Sequence, residues 1–271
     1  MKQSPRRIAL LLVVSAAGAF VLGPSSGPEH RAIAADDTPT EKAMTAMGNL
    51  RTTSYTYDLD VRFEGGTHDR FTYAVDGRSG RAHGSADIAD HQYETMRTRH
   101  TTWTRNTTSE TPSMWNSKPS TSYTDIHLLR PQQVKNVTFE QVSADGETLV
   151  LRADLAGEET RAMYFGPWSQ NSTATLTLHV DRDREIVTRA TMNVTDDASA
   201  GHYLMSDDVS TGHYEATVSD VGETDVKKPD SIPSPTVDEV VNRVVVGLQS
   251  LDGRPQFAIA TRRLSPATAP R

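Results

Sequence analysis

The chain has 271 residues, no cysteine and a formal net charge of -7. So acidic a balance argues against a nucleic-acid binder, which needs a basic footprint; the missing cysteine excludes disulfides, thiolate-held zinc or iron–sulfur centres, and a lipid anchor built by acylating a cysteine. Hydrophobic residues reach only 36% and charged residues 23%, so the polar excess is largely threonine and serine, and threonine favours exposed β-surface over disorder.

Lys2, Arg6 and Arg7 precede an apolar run at 8–22 that Gly23-Pro24 stops. A basic segment followed by an apolar run of this length reads as an export signal, and Ala32-Ile33-Ala34 offers an A-x-A cleavage site before Ala35. An uncleaved anchor is the alternative, with the body outside the membrane because the positive charge lies before the run. Arg6-Arg7 also suggests twin-arginine export, although Pro5 separates Ser4 from the pair and Ala9 stands where a bulky apolar residue is usual. The stretch 24–37 lacks periodicity. The chain therefore divides into 1–34 as export signal or membrane anchor, 35–37 as linker, 38–233 as a folded domain, and 234–271 as a short helix and tail.

Thr38-Pro39-Thr40-Glu41 carries an N-cap, a proline suited to the first helical position and the glutamate of a capping box. Ala43, Met44, Met47 and Leu50 fall on one side, so a helix is expected to end near Leu50. Unbroken alternation follows at 55–63: Tyr55, Tyr57, Leu59, Val61 and Phe63 share one face, and Thr56, Asp58, Asp60 and Arg62 the other. Glu64-Gly65-Gly66-Thr67 turns the chain into a return strand with Phe71, Tyr73 and Val75, and 76–80 turns it again into a weaker strand at 81–86. Residues 93–99 and 101–104 read as strands, 106–123 as a loop despite Met114 and Trp115, and Leu128 to Pro131 as the end of a short element.

Strands are expected at 134–142 and 147–155 around the hairpin signal Ala144-Asp145-Gly146, with a short helix or turn at 158–165. Ala174, Leu176, Leu178 and Val180 alternate, Asp181-Arg182-Asp183-Arg184 turns, and Ile186, Ala190, Met192 and Val194 return. Tyr203 and Leu204 mark a possible strand start; Tyr214, Ala216 and Val218 form the last strand, closed by Pro229, Pro233 and Pro235. The valines at 240, 241, 244 and 245 have helical spacing but weaken the helix that they define.

None of the nine histidines forms a metal-ligating motif, and no nucleophile elbow, P-loop or dinucleotide-binding glycine pattern is present. Asp181-Arg182-Asp183-Arg184-Glu185 lacks the spacing of a calcium loop, and its arginines oppose a cation. Four N-x-[ST] sequons, at Asn106, Asn136, Asn171 and Asn193, are glycosylation acceptors if the source modifies surface proteins. No catalytic residue, metal site or cofactor is expected.

The aromatic and methionine set is the informative one. Tyr55, Tyr57, Leu59, Val61 and Phe63, with Phe71, Tyr73, Met96, Trp103, Leu176, Leu178, Met192 and Tyr214, form the apolar face of a sheet that one short helix would cover. Either that face is core alone, or the part beyond the helix is an apolar cleft able to hold an acyl chain.

The order helix, long alternating strand and successive hairpins, ending in Tyr214-Glu215-Ala216-Thr217-Val218-Ser219-Asp220-Val221-Gly222-Glu223, resembles the exported lipoprotein-carrier (LolA-like) superfamily, including the mycobacterial lipid-carrying lipoproteins. The resemblance is carried by 43–63, by the hairpin at 175–194 and by 214–229. It implies an α+β, mostly β fold: a strongly curved antiparallel sheet, an incomplete barrel, with one or more helices lidding the concave face. It also implies shelter for acyl chains without catalytic groups, the partner being a lipid or lipid-modified protein. The expectation is an exported, non-enzymatic binder of a hydrophobic ligand. Its rivals are a structural or sensory cell-surface domain and, least favoured, a hydrolase.

Overall fold

In a computed structural model of the chain, residues 29–64, 68–88, 91–98, 101–110, 112–119, 134–163, 171–196 and 211–232 are described. They fall within one unit, Pro24–Pro235. The apolar run 8–22, the element at 128–131, the strand start at Tyr203 and the segment 234–271 lie outside the described residues.

Helix α1 (Pro39–Asn49) begins as its sequence dictates. The Thr38 hydroxyl accepts from the Glu41 amide at 3.3 Å, and the Glu41 carboxylate accepts from the Thr38 amide at 2.8 Å. A 3₁₀ turn (Leu50–Thr52) continues it and delivers the chain into β1 (Ser54–Phe63).

That strand is the centre of the fold. It pairs with β2 (His68–Asp76) on one edge and with β11 (Thr211–Ser219) on the other, both antiparallel. From β2 the chain meanders outward through β3 (Arg81–Ile88), β4 (His91–Arg97) and β5 (Thr101–Asn106) to the edge strand β6 (Asn116–Pro119). It then crosses to the opposite edge and meanders inward through β7 (Glu140–Asp145), β8 (Thr148–Ala156), β9 (Thr173–Asp181) and β10 (Ile186–Thr195) to β11. Helix α2 (Glu158–Met163) joins β8 to β9. The result is one large, curved, unclosed antiparallel sheet, mostly-β, with one principal helix among the described residues, as expected.

Two left-handed residues, Asp220 and Gly222, end β11, and the Gly222 amide donates to the Ser54 carbonyl at 2.7 Å. The Val-Ser-Asp-Val-Gly-Glu sequence is thus the turn that ties the last strand to the start of the first.

A continuous core joins Ala43, Ala46, Met47 and Leu50 of the helix segment to the inward residues of β1 and β8–β11. Each such large apolar side chain contributes ~1.5–3 kcal/mol of burial as an upper estimate. Helix α1 packs chiefly on β10, with β9 and β7 beside it.

Two expectations are corrected. The stretch expected as a loop at 106–123 contains β6, whose polar composition suits an edge strand and whose Pro119 is tolerated there. The strand expected at 134–142 begins only at Glu140. Val134, Val137 and Phe139 are buried, yet they belong to the crossover against the helix: Thr40 Oγ1 donates to the Val137 carbonyl at 3.2 Å and accepts from the Phe139 amide at 3.1 Å. Their spacing reflects contact with a helix rather than a pleat. The ambiguous stretch after β8 is helical.

Candidate functional site

Cross-strand register decides which side chains share the concave, helix-bearing face. Tyr55, Tyr57, Leu59 and Val61 oppose Val75, Tyr73, Phe71 and Asp69 on β2, while Tyr57, Leu59, Val61 and Phe63 oppose Val218, Ala216, Tyr214 and Gly212 on β11. Met192 opposes both Tyr214 and Leu176, and Ala190 opposes Leu178. These residues form the expected single face, and the Phe63 and Tyr214 rings meet edge-to-face with centroids 6.0 Å apart.

Met96 and Trp103 do not belong to it. Tyr73 opposes Gly84, and Gly84 opposes Thr95, so Thr95 lies on the concave side and Met96 points to the other, where it opposes Trp103. There Met96 and Trp103 form a second cluster with Val226 and Ile232 from the segment after β11, with Ala74 and Trp115 against it. The Trp115 indole donates to Ser231 Oγ at 3.1 Å, and the Lys228 ammonium sits 5.7 Å from the Trp103 ring centroid.

Burial sorts the thirteen expected ligand-face residues. Eleven are 6% exposed or less and are core; only Phe71 and Tyr73 are half-buried. The face of β1 itself is therefore covered. The accessible apolar surface lies one strand farther out, beside the helix-bearing half rather than beneath it.

The surroundings of Phe71 and Tyr73 differ from the aliphatic half. Ala82, Gly84 and Ala86 on β3 are small, and Thr95 and Thr102 are buried hydroxyls. Tyr73 hydrogen-bonds Thr95; burial raises its phenol above the ordinary range, and Arg97 and the Thr95 bond counter part of that rise. Arg97 opposes Ala82 and Thr102, which places it on this same concave face, half-buried. Its Nε is buried and has no hydrogen-bond partner among the described residues. In the sequence it alternates with Tyr93 and Thr95, a pattern that does not mark it out.

The opposite face is polar and cross-linked. Asp60 bonds His68 and Arg62, each at 2.7 Å, and Arg70 at 3.3 Å. Glu94 bonds His83 at 2.8 Å and Arg105 at 2.6 Å, and Arg105 stacks 4.6 Å from the Trp115 centroid. Burial raises both carboxylates, but the bonds from His68 and Arg62, and from His83 and Arg105, outweigh it and hold them below the ordinary range. A shallow groove of about 520 Å³ on this face is lined by Thr72, Ala74, His83, Ser85 and Glu94 among others. Ser85 and His83 share it, but no hydrogen bond between them is found among the described residues, and His83 is held by Glu94.

Two smaller concavities lie about the β9–β10 turn. One of about 480 Å³ is lined by His30, Arg78, Asp183 and Arg184, and one of about 320 Å³ by Ile33, Lys42, Leu149 and Arg182, among others. Between them residues 30–34 are moored. Asn49, 2% exposed, accepts from the Arg31 amide and donates to the Arg31 and Glu185 carbonyls, all at 2.8–2.9 Å. The Glu185 carboxylate accepts from the Ile33 amide and bonds His30, both at 2.9 Å. Burial raises Glu185, and these two bonds more than reverse the effect.

No group of three or more His, Asp and Glu with the geometry of a metal site occurs among the described residues, and none of the described helices is long and apolar enough to cross a membrane. Of the sequon asparagines, Asn136, Asn171 and Asn193 are exposed and Asn106 half-buried.

No family model matches the chain, and no curated protein sequence matches it. Among solved structures it is similar to a LolA superfamily protein, NE2245 from Nitrosomonas europaea, at 12% identity and a TM-score of 0.30. The match covers 73% of this chain and 96% of that one. So low a TM-score establishes neither ancestry nor function, and the fold assignment rests on the chain's own topology.

Proposed function

We propose that this is an exported, non-enzymatic protein that binds a hydrophobic ligand, a lipid or lipid-modified protein, on the concave face of its sheet. The observation that carries the reading is the continuation of the apolar face past the helix: Phe71 and Tyr73 pack against the core yet keep accessible surface, above a floor of Ala82, Gly84 and Ala86. The Tyr73 ring fills the space over Gly84, so the surface on offer is the exposed part of the two rings themselves, and an apolar chain laid against them adds burial without rebuilding the core. The apolar run at 8–22 supports export, with or without retention at a membrane.

A second reading, a surface scaffold without a ligand, is favoured by the near-complete burial of the β1 face. Organic extraction of the purified full-length chain, followed by mass spectrometry, separates the two. Stoichiometric co-purifying lipid is expected; a lipid-free extract together with no uptake of added fatty acid supports the scaffold instead.

A further inference from the structure

We propose that the ligand of the concave face is an anionic amphiphile, whose carboxylate or phosphate head is held by the Arg97 guanidinium while its alkyl chain lies over Phe71 and Tyr73. The assignment rests on the hydrophobic-ligand reading and narrows it to one chemical class.

Arg97 is anomalous among the arginines of the sheet. Arg62, Arg70, Arg105, Arg152 and Arg189 lie on the helix-free face, where each pairs with a carboxylate on its own or the neighbouring strand, and Arg81 on that same face is exposed to water. Arg97 lies on the concave face, its register partners are Ala82 and Thr102, and among the described residues it forms no salt bridge. Its Nε is buried without an acceptor among the described residues. A buried guanidinium donor left unpaired is costly, and its planar fork matches the two oxygens of a carboxylate or phosphate. The neighbouring concave-face hydroxyls, Thr95 and Thr102, are donors of the right kind for remaining oxygens, and Thr102 is the direct cross-strand partner of Arg97. Charge and apolar surface are thus adjacent: Tyr73 reaches Thr95 across β3, and Arg97 lies two residues along β4 from Thr95.

Free carboxylate or phosphate and an amphiphile's head group share this chemistry, and three probes distinguish them. The full-length chain is titrated with cis-parinaric acid, with its methyl ester and, in competition, with inorganic phosphate. Arg97→Met and Arg97→Lys are measured alongside. The acid is expected to bind about tenfold or more tightly than the ester, because a charge-assisted bond is worth that much where water is excluded. Arg97→Met should abolish the preference while leaving ester binding unchanged, and Arg97→Lys should restore part of it. Phosphate alone should not displace the acid; if it does at millimolar concentration, the site is an oxyanion site independent of the chain, and the amphiphile assignment falls. The ligand-free Arg97→Met protein should unfold at the same or higher urea concentration, since it loses an unpaired charge. Marked destabilisation would show a structural role and overturn the assignment. Equal binding of acid and ester to the native chain also overturns it while sparing the hydrophobic-ligand reading; uptake of neither probe overturns both.

Discussion

Tyr73 and Gly84 are cross-strand partners, and the tyrosine ring occupies the space where a side chain at position 84 would stand. A Cβ on Gly84 would fall against the Thr72 carbonyl oxygen and come within 2.6 Å of Tyr73 Cδ1. Only glycine lets the ring pass across β3 to reach the Thr95 hydroxyl on β4. Gly84→Ala is accordingly expected to destabilise the domain by ~1–3 kcal/mol through overpacking. A urea midpoint for Gly84→Ala indistinguishable from that of the native chain would contradict the tight approach of both the ring and the Thr72 carbonyl to position 84.

Asn49 satisfies three backbone groups at once, two of them on Arg31. Removing it takes three part-buried hydrogen bonds from the Arg31 and Glu185 backbone, so Asn49→Ala should cost about 1–3 kcal/mol. Amide exchange at Arg31 should accelerate while exchange in β1 stays slow. The same contacts bear on the A-x-A signal at 32–34: cutting after Ala34 would discard Arg31 and Ile33, both of which the fold uses. Intact mass of exported protein should give an N-terminus before His30, and a chain beginning at Ala35 would contradict that.

Asp60, Glu94 and Glu185 all titrate below the ordinary carboxylate range in the folded chain. Between the lowered folded values and the ordinary unfolded ones, the unfolded chain binds more protons, so stability rises with pH across that window. Their contribution is complete above the ordinary range and is lost as pH falls through the folded values. Glu94→Gln should lower the urea midpoint at neutral pH and flatten its decline below the ordinary range. An acid limb as steep as that of the native chain would place the titration elsewhere.

Alternation makes half of this site readable from the chain. Because side chains in a strand repeat every two residues, the faces of β1, β9 and β10 follow directly from Tyr55–Tyr57–Leu59, Leu176–Leu178 and Ala190–Met192. Relating β4 and β5 to that face needs the register, which no local pattern carries: Met96 and Trp103 are apolar residues in strands, yet their cover is Val226 and Ile232 on the other side. The helix cap was legible because its chemistry is local. The crossover through Val134 and Phe139, and the mooring of Arg31 by Asn49, join residues far apart through backbone groups that leave no mark on composition.

The most direct test of ligand binding on the concave face is a fluorescence titration of the full-length chain with 11-(dansylamino)undecanoic acid, read for the native protein, Phe71→Asp and Val226→Asp. The two substitutions place a charge on opposite faces of the sheet. Saturable uptake by the native chain is expected, weakened about tenfold or more by Phe71→Asp, which removes a large apolar contact. It should be unchanged in Val226→Asp, provided both variants retain cooperative unfolding. Absence of saturable uptake by the native chain, or equal uptake by native and Phe71→Asp proteins, would contradict a ligand on the concave face.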